Sequence, residues 1–296
     1  MKKRIITGTV YVVVLIGLLA MKWLVPNGWG SLGFDVLFCA ISVLGSIELL
    51  RAFKKAPQEL QMEVPLAQKA ITISFCSAIV PMYAAVEIAM GSGWIAGLAL
   101  ALVYVIVTLI FMFTHFGGST PKSTLLSLFT MLYCGVLCCV LAALNHIEHS
   151  LEGIILLFLV VMLTDAMAYI VGSTLKRWIS APLAESISPN KTVIGGVGGL
   201  IGGIAGAIAA YFIYFGFNNI GTLVVDGIML GAFILVGFIT SIAAQAGDLF
   251  ESYIKRKCKI KDMGNLLPGH GGVLDRFDSM LVSGLIVLLG FIIIYI

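Results

Sequence analysis

Apolar runs of about twenty residues recur nine times along the chain, at 5–25, 31–50, 70–90, 93–114, 123–144, 151–172, 193–215, 223–247 and 279–296. A helix needs about 20 such residues to cross a hydrocarbon core of ~30 Å, where the backbone must satisfy its own hydrogen bonds. A membrane barrel would show alternating segments of ~10 residues, and these are absent. The reading is an all-α polytopic membrane protein with about nine transmembrane helices. Only 11% of residues are charged and the mean hydropathy is +1.07. Soluble domains carry about a quarter charged residues, so that class is excluded.

The first run follows Lys2, Lys3 and Arg4 as a signal peptide would, but it exceeds an h-region and no small-x-small cleavage site follows. It reads as a retained anchor. With the N-terminus cytoplasmic, every one of the 18 basic residues except Lys22 falls in an inner segment, as the positive-inside tendency requires. The C-terminus then lies on the outer side of a cell (inner) membrane. The net charge of +3 records that bias and an affinity for anionic lipid headgroups; no nucleic acid partner is expected. Cys39, Cys76, Cys134, Cys138 and Cys139 lie in apolar runs and Cys258 in a lysine-rich loop. No C-x-x-C pair sits in a metal or redox setting, so all six read as reduced thiols.

Three parts follow: 1–115 with helices 1–4, 116–172 with helices 5 and 6, and 173–296 with helices 7–9 and the polar inner loops 173–192 and 248–278. The chemistry concentrates in the last part. An ionisable side chain in an apolar run costs ~2.5–3.5 kcal/mol at the helix centre, so each needs a reason. Asp165 reads as such a buried acid in the inner third of the sixth run, with Tyr169 one turn later. The eighth run ends in Ser241, Gln245, Asp248, Ser252 and Lys255, spaced as one helical stripe. The ninth starts at Asp275, Arg276 and Asp278, the seventh at Ser188-Pro189-Asn190-Lys191-Thr192.

Asp165, Asp248, Asp275 and Asp278 are hard oxygen donors of the kind that hold Mg²⁺ by one or two carboxylates while phosphates complete the shell. Lys255, Arg256, Lys261 and Arg276 suit phosphate charge, and Gly269, Gly271 and Gly272 allow close backbone approach. Plainer readings stand beside these. Lys257 and Lys259 serve inner-face retention, the three charges at 275–278 suit any helix start, and His270 is a turn residue, a phosphate donor or a general acid–base. Two glycine ridges, Gly195/Gly199/Gly203 and Gly198/Gly202/Gly206, read as close helix packing. The phosphate-loop pattern G-x-x-x-x-G-K-[ST] is absent; Gly117-Gly118-Ser119-Thr120-Pro121-Lys122 lacks the glycine before its lysine.

Residues 252–278 match S-x-x-K-R-x4-K-D-x-G-x-x-L-P-G-H-G-G-x-x-D-R-x-D at every fixed position. The segment resembles the C-terminal signature of phosphatidate cytidylyltransferases, the CDP-diacylglycerol synthases. The likeness extends to Gly247-Asp248-Leu249-Phe250-Glu251-Ser252, to Ser188–Thr192 and to Asp165-Ala166-Met167-Ala168-Tyr169; the first four helices match only in hydrophobicity.

The resemblance implies reaction of CTP with phosphatidic acid among membrane lipids, at the cytoplasmic face, giving CDP-diacylglycerol and pyrophosphate. It implies Mg²⁺, with a second cation such as K⁺ assisting in some members, and a homodimer within the membrane. It places metal on Asp248 and Asp275, and charge stabilisation or catalysis on Lys255, Arg256, Asp275, Arg276, Asp278 and His270. Substrate contacts fall on Asp165, Ser188, Lys191, Thr192, Ser252, Lys261, Gly269, Gly271 and Gly272. Ser241 and Gln245 are expected to line the path to Asp248. Two departures are visible. Ile194 stands where the family commonly has Glu or Gln, and the basic glycine-containing pattern between Gly172 and Ser188 is kept only by Lys176 and Arg177.

Rival readings are a CTP-dependent lipid kinase-like enzyme, an inactive diverged paralogue and, more remotely, a secondary transporter. A transporter would repeat its acids near the midplane of both halves. The CDP-alcohol phosphotransferase motif D-G-x2-A-R-x8-G-x3-D-x3-D is not found.

Overall fold

A computed structural model describes residues 2–25, 29–60, 62–175, 181–218, 226–267, 269 and 271–295. The chain is a multi-pass helical membrane protein. Among the described residues, eight helices are long and apolar enough to cross a bilayer, and α1 (Lys2–Leu24) adds a shorter apolar stretch, Gly8–Leu24. It is followed by α2 (Leu32–Lys55), α3 (Leu66–Met90), α4 (Gly93–Phe113), α5 (Pro121–Thr130), α6 (Leu137–His146), α7 (Ser150–Leu175), α8 (Val193–Asn218), α9 (Gly227–Lys257) and α10 (Leu274–Tyr295).

Helices α5 and α6 make one span, joined by a wider π-type segment, Met131–Val136. Its start is set locally, because Thr120 and Ser123 cap each other's backbone N–H and Pro121 takes the first helical position. Inside the π segment, a Cβ on Gly135 would stand 3.3 Å from Cys76 Sγ, so α3 packs closely there.

The chain divides into two compact units. The first comprises Met1–His146 with Ile254–Phe277. Its core includes Phe34, Phe38, Leu49, Cys76, Val80, Tyr104, Leu141 and Leu144. Lys22, the basic residue left outside the inner segments, is fixed by structure here. Its Nζ donates to Ser31 Oγ at 2.8 Å, to the Asn145 carbonyl at 2.7 Å and to Asn145 Oδ1 at 2.9 Å. Asn145 Nδ2 in turn donates to Asp35 Oδ1, whose other oxygen pairs with His146. The end of α1, the start of α2 and the end of α6 are thus tied by one polar cluster.

The second unit comprises Ile147–Tyr253 with Asp278–Ile296, built on Ile154, Leu156, Leu157, Val160, Ala207, Tyr211, Phe233 and Phe291. Here the glycine ridges of α8 do what their spacing predicts. A Cβ at Gly202 would overlap the Leu163 carbonyl oxygen of α7, and one at Gly206 would reach the Leu159 oxygen at 2.8 Å. On the other ridge Gly195 also packs on α7, against the Ala168 carbonyl, while Gly199 leaves room for Gln245 and Gly203 for Ser241 of α9.

Three expectations change. The inner loop 173–192 contains a two-stranded antiparallel ribbon, β1 (Pro182–Ala184) and β2 (Ser188–Thr192), with Pro182 opposite Thr192 and Ala184 opposite Ser188. It is too short for a periodic signal. Helix α9 carries the Ser241–Lys255 stripe as its spacing predicts and runs to Lys257 as 31 residues, so the inner loop starts after 257 rather than at 248; its length is about 46 Å at 1.5 Å per residue, well beyond a ~30 Å hydrocarbon core. Asp165, read as a buried acid, lies on an exposed face of α7 with Ala166, Tyr169 and Ile170. Spacing gave its face but not what covers that face. Lys176, Arg177 and His270 lie outside the described residues.

Candidate active site

In the first unit, α9 is closed by a left-handed residue, Lys259 (φ 54°), with the Ile260 N–H donating to the Lys255 carbonyl at 2.9 Å. This 6→1 bond reverses the chain after the helix. The signature loop then tightens, the Leu267 N–H donating to the Gly271 carbonyl at 2.9 Å, and enters α10, whose first turn carries Asp275.

The Asp275 carboxylate accepts three hydrogen bonds and keeps further acceptor capacity. Oδ1 accepts from Lys255 Nζ at 2.9 Å; Oδ2 accepts the Gly272 N–H at 2.7 Å and the Met263 N–H at 2.8 Å. Both side chains are largely buried, 13% exposed for Lys255 and 6% for Asp275. A buried carboxylate with an ammonium and two amide donors is held in one orientation. Gly271 has φ 89°, and a Cβ there would stand 2.8 Å from Asp275 Oδ2. Its openness is therefore filled by the chain's own carboxylate.

Sequence reasoning missed Glu48 on α2. Its Oε1 accepts the Val273 N–H at 3.0 Å and its Oε2 the Leu274 N–H at 2.9 Å. A Cβ on Gly264 or Gly272 would overlap this carboxylate. The signal was present, since Glu48 is an acid inside the apolar run 31–50.

In the second unit, the ribbon presents Lys191, whose ammonium pairs with Asp248 of α9; both side chains are about one-third exposed. Thr192 is buried and its hydroxyl accepts the Gly195 N–H at 3.1 Å, capping α8. Ser188 sits in the ribbon and Ser252 is buried on α9. Asp278 is buried, its Oδ1 accepting the Ser279 N–H at 2.6 Å. Ser241 Oγ accepts from Thr164 at 2.9 Å and donates to the Gly199 carbonyl at 3.1 Å, while Gln245 Nε2 donates to the Gly196 carbonyl at 3.2 Å. Those two stripe residues join α7, α8 and α9. Arg256, Lys261, Gly269 and Arg276 are exposed.

Among the described residues no three His, Cys, Asp or Glu side chains gather into a site able to hold a metal. Separate hard carboxylates fit Mg²⁺, which binds through one or two carboxylates and leaves the rest of its shell to phosphates and water. They do not fit an all-protein cage such as a structural zinc site.

The site's class follows from comparison with known proteins: the model of the cytidylyltransferase family matches residues 2–294, and the chain belongs to that family. Within it, the chain is 42% identical over 135 residues to a phosphatidate cytidylyltransferase of Staphylococcus haemolyticus, covering 45% of this chain and 46% of the relative. It is 42% identical over 134 residues to that of Staphylococcus saprophyticus, with the same coverage, and 39% identical over 137 residues to that of Rickettsia felis, 44% of this chain and 54% of the relative. The chain spans about half the length of the curated relatives it matches.

Proposed function

We propose that this chain transfers the cytidylyl group of CTP to phosphatidic acid, giving CDP-diacylglycerol and pyrophosphate. Membership of the family and the names of the relatives support this reading over a kinase-like enzyme or a transporter. The observation that carries it is the buried pair of Lys255 and Asp275, held by backbone amides inside the signature loop.

The phosphate of phosphatidic acid is ionised near neutral pH, its second pKa being ~6, so no general base is needed. One of its oxygens attacks the α-phosphorus of CTP in line, the bond to the β-phosphate oxygen breaks, and pyrophosphate leaves. The chain's contribution is positioning and charge stabilisation. Lys255, Arg256 and Arg276 are assigned to phosphate charge, and Lys191 to the triphosphate. Ser188, Thr192, Ser252, Lys261 and the backbone of Gly269, Gly271 and Gly272 are assigned to shaping the substrate site, and Asp165 and Asp278 to the outer acidic set. Asp248 and Asp275 are the residues that would hold Mg²⁺, which when bound neutralises charge on the triphosphate.

The same reading puts the reaction at the cytoplasmic face of the cell membrane, where CTP meets a lipid headgroup, and makes the working form a homodimer. The test is an assay of the purified chain in detergent micelles with labelled CTP, phosphatidic acid and Mg²⁺. Label in CDP-diacylglycerol with matching pyrophosphate is the expected result. Label in a phosphorylated lipid, or none under conditions where a known synthase works, would overturn it.

A further inference from the structure

We propose that Glu48 is the positioning residue for Asp275, holding the first turn of α10 from α2 and thereby fixing the carboxylate assigned above to the metal and CTP. The inference rests on that assignment of Asp275.

The geometry has three parts. The amides of Gly272, Val273 and Leu274 are consecutive, and each donates to a carboxylate: Gly272 to Asp275, the next two to the separate oxygens of Glu48. Donors at a helix N-terminus have no partners within the helix, and here a buried acid from another helix supplies them. Glu48 is 6% exposed, so its retention in a membrane-spanning run is explained by these bonds. Third, Gly264 and Gly272 leave the space its carboxylate occupies. Two glycines of the signature are therefore shaped to an acid outside the signature. If the α10 start shifts, Asp275 shifts with it, because its Oδ2 is bonded to Gly272 and Met263 of the same loop.

Glu48→Gln keeps the size but sets an amide nitrogen against a backbone N–H, donor against donor. In the full chain in micelles, this variant is expected to lower kcat/KM for CTP about 100-fold, as a misplaced group does. It should raise the half-saturating Mg²⁺ concentration about tenfold, as loss of a supporting hydrogen bond behind a metal ligand does. KM for phosphatidic acid should stay within about twofold of wild type, and hydrogen exchange at the Val273 and Leu274 amides should accelerate. Glu48→Asp, which keeps both acceptors, should recover part of the Mg²⁺ dependence. Gly264→Ala should reproduce the Glu48→Gln defect in the wild-type chain yet add little to Glu48→Ala.

A Glu48→Gln enzyme with wild-type Mg²⁺ dependence and protected amides would overturn the inference. Should Glu48→Gln not fold, Glu48→Asp decides: a raised Mg²⁺ requirement supports positioning and an unchanged one overturns it. If the wild-type chain makes no CDP-diacylglycerol, the functional reading fails separately, while amide exchange still decides whether Glu48 holds the turn.

Discussion

Lys255 Nζ lies 2.9 Å from Asp275 Oδ1, and the opposite oxygen of that carboxylate takes two backbone amides, so the one charged donor in the set is also the one able to leave. The amides fix orientation; the ammonium balances charge. Asp275→Asn disturbs both, because its amide nitrogen must face either the lysine or an N–H. Turnover is expected to fall by about three orders of magnitude or more, with the chain still folded. Initial rates across an Mg²⁺ titration check this, and near-normal turnover at limiting Mg²⁺ would remove Asp275 from the metal.

Lys191 pairs with Asp248 from the ribbon, and at about one-third exposure the pair contributes little stability, ~0–1 kcal/mol. Its role is therefore legible in kinetics rather than in melting. Lys191→Ala should raise KM for CTP about tenfold, the effect of losing a ~1.4 kcal/mol contact, and leave KM for phosphatidic acid near wild type. An unchanged KM for CTP would reduce Lys191 to a neutraliser of Asp248.

Gly202 of α8 and Gly231 of α9 should respond oppositely to alanine. At Gly202 the added Cβ overlaps the Leu163 oxygen and stands 2.7 Å from Met167 Cβ, so α7 and α8 must part. The expected loss is about 1–3 kcal/mol. At Gly231 nothing lies within 4 Å of the added Cβ, and Gly231→Ala should gain roughly 0.5–1 kcal/mol by restricting the backbone. Thermal midpoints in one detergent compare them, and equal destabilisation would refute the packing argument.

Cys258 is fully buried at the end of α9, and burial pushes its thiol above the usual range. A raised pKa leaves less thiolate at any given pH, and the thiolate is the reactive species. A charged methanethiosulfonate reagent at pH 7.5 should leave Cys258 unlabelled in the folded chain and label it after denaturation. Rapid labelling of the native chain, read by peptide mass, would show that the signature loop opens.

The spans were legible because twenty apolar residues in a row have few other destinations, and the α8 ridges because four-residue spacing puts glycines on one face. The signature was legible as a string, and the grouping of Lys255 with Asp275 followed from it. Partnership across the chain was not. Asp165 and Glu48 present the same signal, one acid in an apolar run, yet Glu48 is buried against two amides and Asp165 is exposed. The cost of an acid in lipid says that a reason exists, not which distant segment supplies it. The openness of Gly271 and Gly272 was likewise readable, but its occupants, Asp275 and Glu48, required coordinates.

The discontinuity of the first unit has a consequence for biosynthesis. Glu48 leaves the ribosome 225 residues ahead of Val273 and 226 ahead of Leu274. At ~5–20 residues per second, that interval is on the order of ten to forty-five seconds. Through that interval α2 carries an acid whose native donors have not yet been made, and the first unit stays incomplete until Ile254–Phe277 emerges. Nascent chains stalled before Val273 would carry a first unit that still lacks the donors to Glu48.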